Sequence, residues 1–175
     1  HRLAVPVVAR GAGTGLSGGA LPHALGVTLS LAKFNRILEV DPVSRTAVVQ
    51  SGVRNLAISE AAARYGLYYA PDPSSQIACT IGGNIAENAG GVHCLKYGLT
   101  VHNVLALRVA LIDGTVAEIG SEALDSPGYD LLALMIGSEG MLGIVLEATV
   151  RLTPKPLLAQ VVMASFDDVI KAGNA

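Results

Sequence analysis

An α+β domain is predicted by three features of the sequence. Short apolar strands outnumber helices, turn residues join several strands into hairpins, and helical stretches come at irregular intervals instead of alternating with strands. The 175 residues are long enough for one domain with a sizeable core, with 51% hydrophobic and 15% charged residues and a positive mean hydropathy. No repeat of fixed period is visible.

Residues 5–9 read as a short buried strand, with Pro6 near its start where a lost donor matters least. A glycine-rich segment follows at 10–20, and Val27 to Leu31 reads as the next strand. Ile37 to Val40 and Thr46 to Gln50 are strands joined by the turn residues Asp41 to Arg45. Asn55 to Tyr65 has an alanine-rich helical pattern, with Gly66 where a C-terminal cap belongs. Ala70 to Gly91 begins as a loop and then predicts one short helix from about Gly82. Val104 to Ile112 and Thr115 to Ile119 flank Asp113-Gly114, which predicts a hairpin with a primed turn. A helix is expected over Tyr129 to Ile136, a long strand over Leu142 to Leu152, and a further strand over Leu158 to Phe166. Asp167-Asp168 would then cap a helix.

Composition excludes several classes. The net charge of −2 and the lack of a basic tract argue against a nucleic-acid partner. No apolar run reaches the roughly 18 residues of a membrane span. Cys79 and Cys94 have no zinc-type spacing, which predicts reduced thiols in or near the core of a cytoplasmic protein. The chain starts at His1 without a signal-peptide pattern and reads as a fragment.

The 20 glycines fall mostly in clusters at 11–19, 82–91 and 137–143, a pattern expected where backbone loops converge on a large polar ligand. Gly13, Gly15 and Gly18 match G-x-G-x-x-G, but no helix pattern follows, so the Rossmann context fails; no Gly-Lys-Ser/Thr closes a Walker loop. What remains is either a surface turn or an anion-binding nest. In the second reading Arg10 supplies a positive charge, and Thr14 and Ser17 supply hydroxyls.

Four blocks in order, PVVARGAGTGLSGGA (6–20), YAPDPSSQIACTIGGNIAENAGG (69–91), HCLKYG (93–98) and GYDLLALMIGSEGMLGIV (128–145), resemble flavoproteins of the vanillyl-alcohol oxidase type. The likeness is to the branch of glycolate oxidase FAD-linked subunits and D-lactate and D-2-hydroxyglutarate dehydrogenases. It implies a two-subdomain FAD-binding fold, truncated at both ends. The FAD-binding domain would occupy 1–156 without its first strand–helix unit, and a substrate (cap) domain would start at 157–175.

By that resemblance, Arg10, Gly11, Ala12, Gly13, Thr14, Gly15, Leu16 and Ser17 would bind the pyrophosphate. Pro71, Asp72, Ser74, Ser75, Thr80, Gly82, Gly83, Asn84, Asn88 and Gly90 would line the flavin and the rest of the diphosphate. Glu139, Gly143, Ile144 and Val145 would lie against the adenosine half. Gly82 and Gly83 would allow close backbone approach, and the helix starting there would point N–H groups at the anion. Covalent members commonly carry a histidine at the position matching Thr14, so FAD is expected to be noncovalent. Met141 stands where close relatives usually have threonine, so one hydroxyl contact is expected to be lost.

The implied reaction is hydride transfer from a 2-hydroxy acid such as glycolate or D-lactate to flavin, with electrons leaving to a partner subunit or quinone. The catalytic base is expected mostly outside this fragment, and any membrane association would come through a partner. His93 could lie near the flavin or be structural; Lys96 and Tyr97 could approach flavin or substrate, or pack. Asp72 and Glu139 could serve the cofactor or cap backbone. His23 and His102 read as solvated, and no spacing supports a metal site. Two alternatives remain open: a noncatalytic flavin-binding subunit of an oxidase complex, and an NAD dehydrogenase with Glu39 or Asp41 on the ribose, which the absent helix disfavours.

Overall fold

The computed structural model of the protein describes residues 3–123, 128–158 and 160–175. Its centre is a five-stranded antiparallel sheet built from β3 (Ile37–Asp41), β4 (Thr46–Gln50), β6 (Val104–Ala110), β7 (Val116–Gly120) and β8 (Ile144–Arg151), in the order β3-β4-β8-β6-β7. Beside it, β1 (Val7–Arg10) and β2 (Val27–Ser30) form a two-stranded parallel sheet. β5 (Leu67–Tyr68) pairs with β9 (Thr153–Pro154).

The hairpins arise from local chemistry. Asp41 Oδ1 accepts from the N–H groups of Val43 and Ser44, closing the β3–β4 turn. The β6–β7 hairpin differs from the primed turn expected. The Gly114 N–H reaches Leu111 O, φ is positive at Gly114 (89°) but not at Ile112 or Asp113, and Leu111 N–H reaches Thr115 O. This is an ordinary turn followed by a left-handed glycine, the form of a longer hairpin loop.

Helix α1 (Asn55–Ala62) tightens into a 3₁₀ turn over Ala63–Tyr65 and stops at left-handed Gly66. Helix α2 (Ile81–Glu87) is capped by Thr80, whose hydroxyl accepts from Gly83 N–H. Short helices α3 (Cys94–Tyr97), α4 (Leu131–Met135) and α5 (Val169–Gly173) follow. Asp168 caps α5 as expected, and Asp130 caps α4. The core gathers Ile58 of α1, Ile81 and Ile85 of α2, and Val49, Val109, Ala148 and Val150 of the sheet, all essentially solvent-free. α2 thus lies pinned against the central sheet, and its remaining surface is available to a site.

The strand expected over 158–166 is not formed: residue 159 lies outside the described residues, and Leu158 and 160–166 are irregular and exposed. Apolarity there has no neighbouring strand to satisfy its backbone, so composition alone did not make a strand. Cys79 is buried as expected, whereas Cys94 is exposed.

Candidate functional site

Parallel strands need a crossover, usually helical. Here the crossover from β1 to β2 is the glycine-rich loop itself, with no helix after Gly18. Among the described residues, the backbone N–H groups of residues 11–17 make no hydrogen bond, leaving a continuous run of donors. Left-handed Gly13 (φ 72°) bends this run, and a β-carbon there would sit 2.8 Å from Arg10 Nη2. A side chain would therefore both strain the turn and displace the guanidinium.

The loop faces α2 across an open cleft of about 970 Å³. Of the residues expected to bind cofactor, the cleft brings together Arg10, Gly11, Ala12, Gly13, Thr14, Gly15, Leu16, Ser75, Thr80, Gly82, Gly83, Asn84 and Glu139. Asn84 is only 4% exposed, and its amide Nδ2 has no hydrogen-bond partner, an unmet donor in the cleft wall. Met141 and Ile112 line the same cleft as large exposed apolar side chains, so Met141 supplies apolar surface there.

The other expected residues lie outside the cleft lining. Ser17 reaches back to Glu87, its hydroxyl donating to Oε2 at 3.4 Å. Asn88 ends α2 in a left-handed conformation, and its side chain accepts from Val101 N–H. Pro71 O accepts from the buried Asn55 amide, and Ser74 is exposed in the following turn. Gly90 packs against Leu99 and Cys94; Gly143 packs on Val109 and Ala110 at the foot of β8, where Ile144 and Val145 begin the strand.

One expectation is overturned. The first N–H groups of α2 do not point at a ligand: Ile81 N–H bonds Val53 O, Gly82 N–H bonds Ser51 O, and Gly83 N–H bonds Thr80 Oγ1. Gly82 is also pressed so closely on Ser51, 2.7 Å from Cβ to a virtual Cβ, that packing accounts for its glycine. Gly83 meets only its own cap hydroxyl. The N–H groups left without a partner beside the cleft are therefore those of the crossover loop, not those of the helix end.

The carboxyl end of α2 is closed by the segment after α4. Gly137 N–H bonds Ile85 O and Glu139 N–H bonds Ala86 O, with Glu139 itself at φ 54°. This docking brings Glu139, Gly140 and Met141 to the cleft. Glu87, which sequence reasoning did not select, joins them; its place one turn after Gly83 on a helix was the available signal.

A second polar cluster lies outside the cleft lining. His93 Nδ1 sits 2.6 Å from Asp72 Oδ2, and His93 N–H reaches Asp72 Oδ1 at 3.3 Å, so Asp72 neither caps its turn nor faces the cleft. Tyr97 meets Tyr68 edge-on, with Lys96 over the Tyr97 ring. Burial, then the hydrogen bond with Tyr97, pushes Tyr68 well above the ordinary tyrosine range. Hydrogen bonds from Tyr68 and Lys96 hold Tyr97 below that range. His23 Nδ1 accepts from Leu25 N–H and His102 Nδ1 from Leu99 N–H, both at the exposed surface. Among the described residues no group of His, Cys, Asp and Glu could hold a metal.

An unpaired donor loop closing a parallel strand pair opposite a sheet-bound helix defines a binding domain for a large phosphorylated ligand. The chain belongs to the family described as FAD binding domain, which matches residues 1–120. It is 69% identical to the glycolate oxidase subunit GlcD of Escherichia coli strain K12, covering 100% of this chain and 35% of that protein. It is 46% identical to the D-lactate dehydrogenase of Archaeoglobus fulgidus, over 86% of this chain and 34% of the relative. The solved structure of alkyldihydroxyacetonephosphate synthase superposes with a TM-score of 0.79 at 25% identity, covering 90% of this chain and 29% of that one. The chain therefore spans about a third of the length of its curated relatives.

The fold is the FAD-binding fold of this family, and its cofactor is FAD. The cleft suits it on internal grounds. The free N–H groups of 11–17 and Arg10 match diphosphate oxygens, and Asn84 Nδ2 is an unmet donor. Ile112 and Met141 supply apolar surface for a ring. Among the described residues no helix is long and apolar enough to cross a membrane.

Proposed function

We propose that this chain is the FAD-binding part of an oxidoreductase that oxidises a 2-hydroxy acid such as glycolate or D-lactate. The observation that carries the reading is the run of unpaired N–H groups at 11–17 opposite α2, in a chain 69% identical throughout to a glycolate oxidase subunit. FAD, when bound, supplies a two-electron acceptor for the α-hydrogen of the hydroxy acid. This chain's residues bind and orient it: the crossover loop and Arg10 hold the diphosphate, and Thr80, Gly83, Asn84 and Glu139 line the rest of the cleft. Ser17, Asn88, Gly90 and Gly143 act by shaping the elements around it, and Pro73 and Ser75 form its rim.

Thr14 offers no nucleophilic ring nitrogen at the loop, so the cofactor is held without a covalent bond. Residues 1–156 form the FAD-binding domain, and 157–175 start the substrate domain, whose core would cover the exposed apolar side chains of Leu157, Val161, Val162 and Met163. Electrons leave to a partner subunit or a quinone, in keeping with the relative's description as a subunit.

The test is visible absorption of the purified full-length protein, before and after acid precipitation and with added glycolate or D-lactate. Flavin bands that pass to the supernatant, with released FAD identified by mass, are expected, as is bleaching by a hydroxy acid. Bound flavin that no hydroxy acid bleaches would point to a noncatalytic flavin-carrying subunit, and flavin that stays with the precipitate would overturn the noncovalent reading. A colourless protein that FAD does not reconstitute would overturn the reading.

A further inference from the structure

The donors that line the cleft are matched to phosphate oxygens, which only accept. A dinucleotide also carries sugar hydroxyls, which need acceptors when they leave water. Among the described residues, the carboxylates lining the cleft are Glu87 and Glu139. Glu87 is the one held against the crossover loop: Oε1 lies 3.4 Å from where a β-carbon on Gly15 would stand, and Oε2 takes the Ser17 hydroxyl. That bond is 3.4 Å long, at the weak limit of hydrogen bonding, so the carboxylate keeps most of its acceptor capacity. Asn84, one turn earlier on the same helix, adds the unpaired buried donor Nδ2. An acceptor held against the crossover loop and an unpaired buried donor therefore stand one turn apart on α2.

We propose that Glu87, assisted by Asn84, reads the sugar hydroxyls flanking the bound diphosphate, and so makes the cleft selective for a polyhydroxylated ligand over a bare phosphate. The proposal rests on the reading that the cleft takes FAD. The shared chemistry is a pair of neighbouring hydroxyls, supplied by the ribityl chain of the flavin or by the ribose of the adenosine.

The test measures dissociation constants by calorimetry on the flavin-free full-length protein. The ligands are FAD, ADP, FMN and inorganic pyrophosphate, and the forms are unsubstituted, Glu87→Ala, Glu87→Gln and Ser17→Ala. Glu87 is exposed at the helix end, so the unfolding midpoints of the flavin-free variants should match that of the parent. In Glu87→Ala, FAD affinity should fall about tenfold, the scale of one lost hydrogen bond to a charged group, while pyrophosphate changes less than about twofold. Glu87→Gln, which keeps one acceptor oxygen, should fall less. A loss shared by ADP assigns the ribose; a loss shared by FMN assigns the ribityl chain.

Unchanged FAD affinity in Glu87→Ala overturns the proposal. So does an equal loss for FAD and pyrophosphate that Ser17→Ala reproduces, because Glu87 would then only hold the loop. Tighter binding of both ligands overturns it too, since the carboxylate would merely repel phosphate. Failure of the parent protein to bind FAD at all would instead defeat the reading of the cleft.

Discussion

Gly13 carries the sharpest residue-scale test of the crossover loop. Its backbone is left-handed, and a β-carbon would press on the Arg10 guanidinium. Gly13→Ala should cost about 1–2 kcal/mol of local strain, lowering FAD affinity roughly tenfold in a fluorescence titration. An unchanged affinity would remove the loop from the binding role. Arg10→Ala should also weaken FAD, by an amount that shrinks as salt is raised, because the group it replaces acts as an exposed charge. Much of this was legible in the residues themselves: the glycines and Arg10 could be picked out because their type betrays a backbone or charge requirement, whereas Thr80 came only with the family resemblance. Glu87 could not. Its importance depends on which face of α2 the core claims, and Ile81 and Ile85 settle that only once the helix is packed.

Among the elements, α2 supports the site through its cap. Thr80→Val removes the side-chain acceptor for Gly83 N–H and should cost about 1 kcal/mol, a fall of about 2–4 °C in Tm by calorimetry. No change would mean that the Ser51 and Val53 carbonyls alone suffice to start the helix. Those two contacts explain why the role of the helix end is not legible in the sequence. The local pattern displays a helix beginning beside glycines, but the carbonyls that consume its N–H groups come from a segment about thirty residues earlier, and no local signal shows them. The same contrast runs through the strands. β3, β4, β6, β7 and β8 were legible because each has its own apolar pattern and nearby turn residues. The β5–β9 pair was not, because two-residue strands exist only through a partner far along the chain. Leu158 and 160–166 show the reverse, an apolar run with no strand partner among the described residues.

For the molecule as a whole, Tyr69 links the core to pH. Its side chain is fully buried, and burial pushes its ionisation well above the usual range. An acid whose folded pKa is raised is neutral in both states below the unfolded value of about 10. Above that value the unfolded chain loses the proton first, so the native state loses stability as pH rises. Tyr69→Phe should flatten the fall in Tm between about pH 10 and 11, measured against the parent protein; an identical fall in both would place the alkaline sensitivity elsewhere.

The crossover from β1 to β2 has a consequence for the life of the protein. Among the described residues nothing bonds the N–H groups of 11–17, so in the proposed reading the ligand takes the place that a helix fills in ordinary parallel sheets. The flavin supply and the protein's survival are then coupled. Starved of FAD, the polypeptide should offer proteases a cut between residues 11 and 26, and each bound cofactor should withdraw that cut from reach. A brief protease pulse on cell extracts would then report the fraction of molecules that have found their flavin.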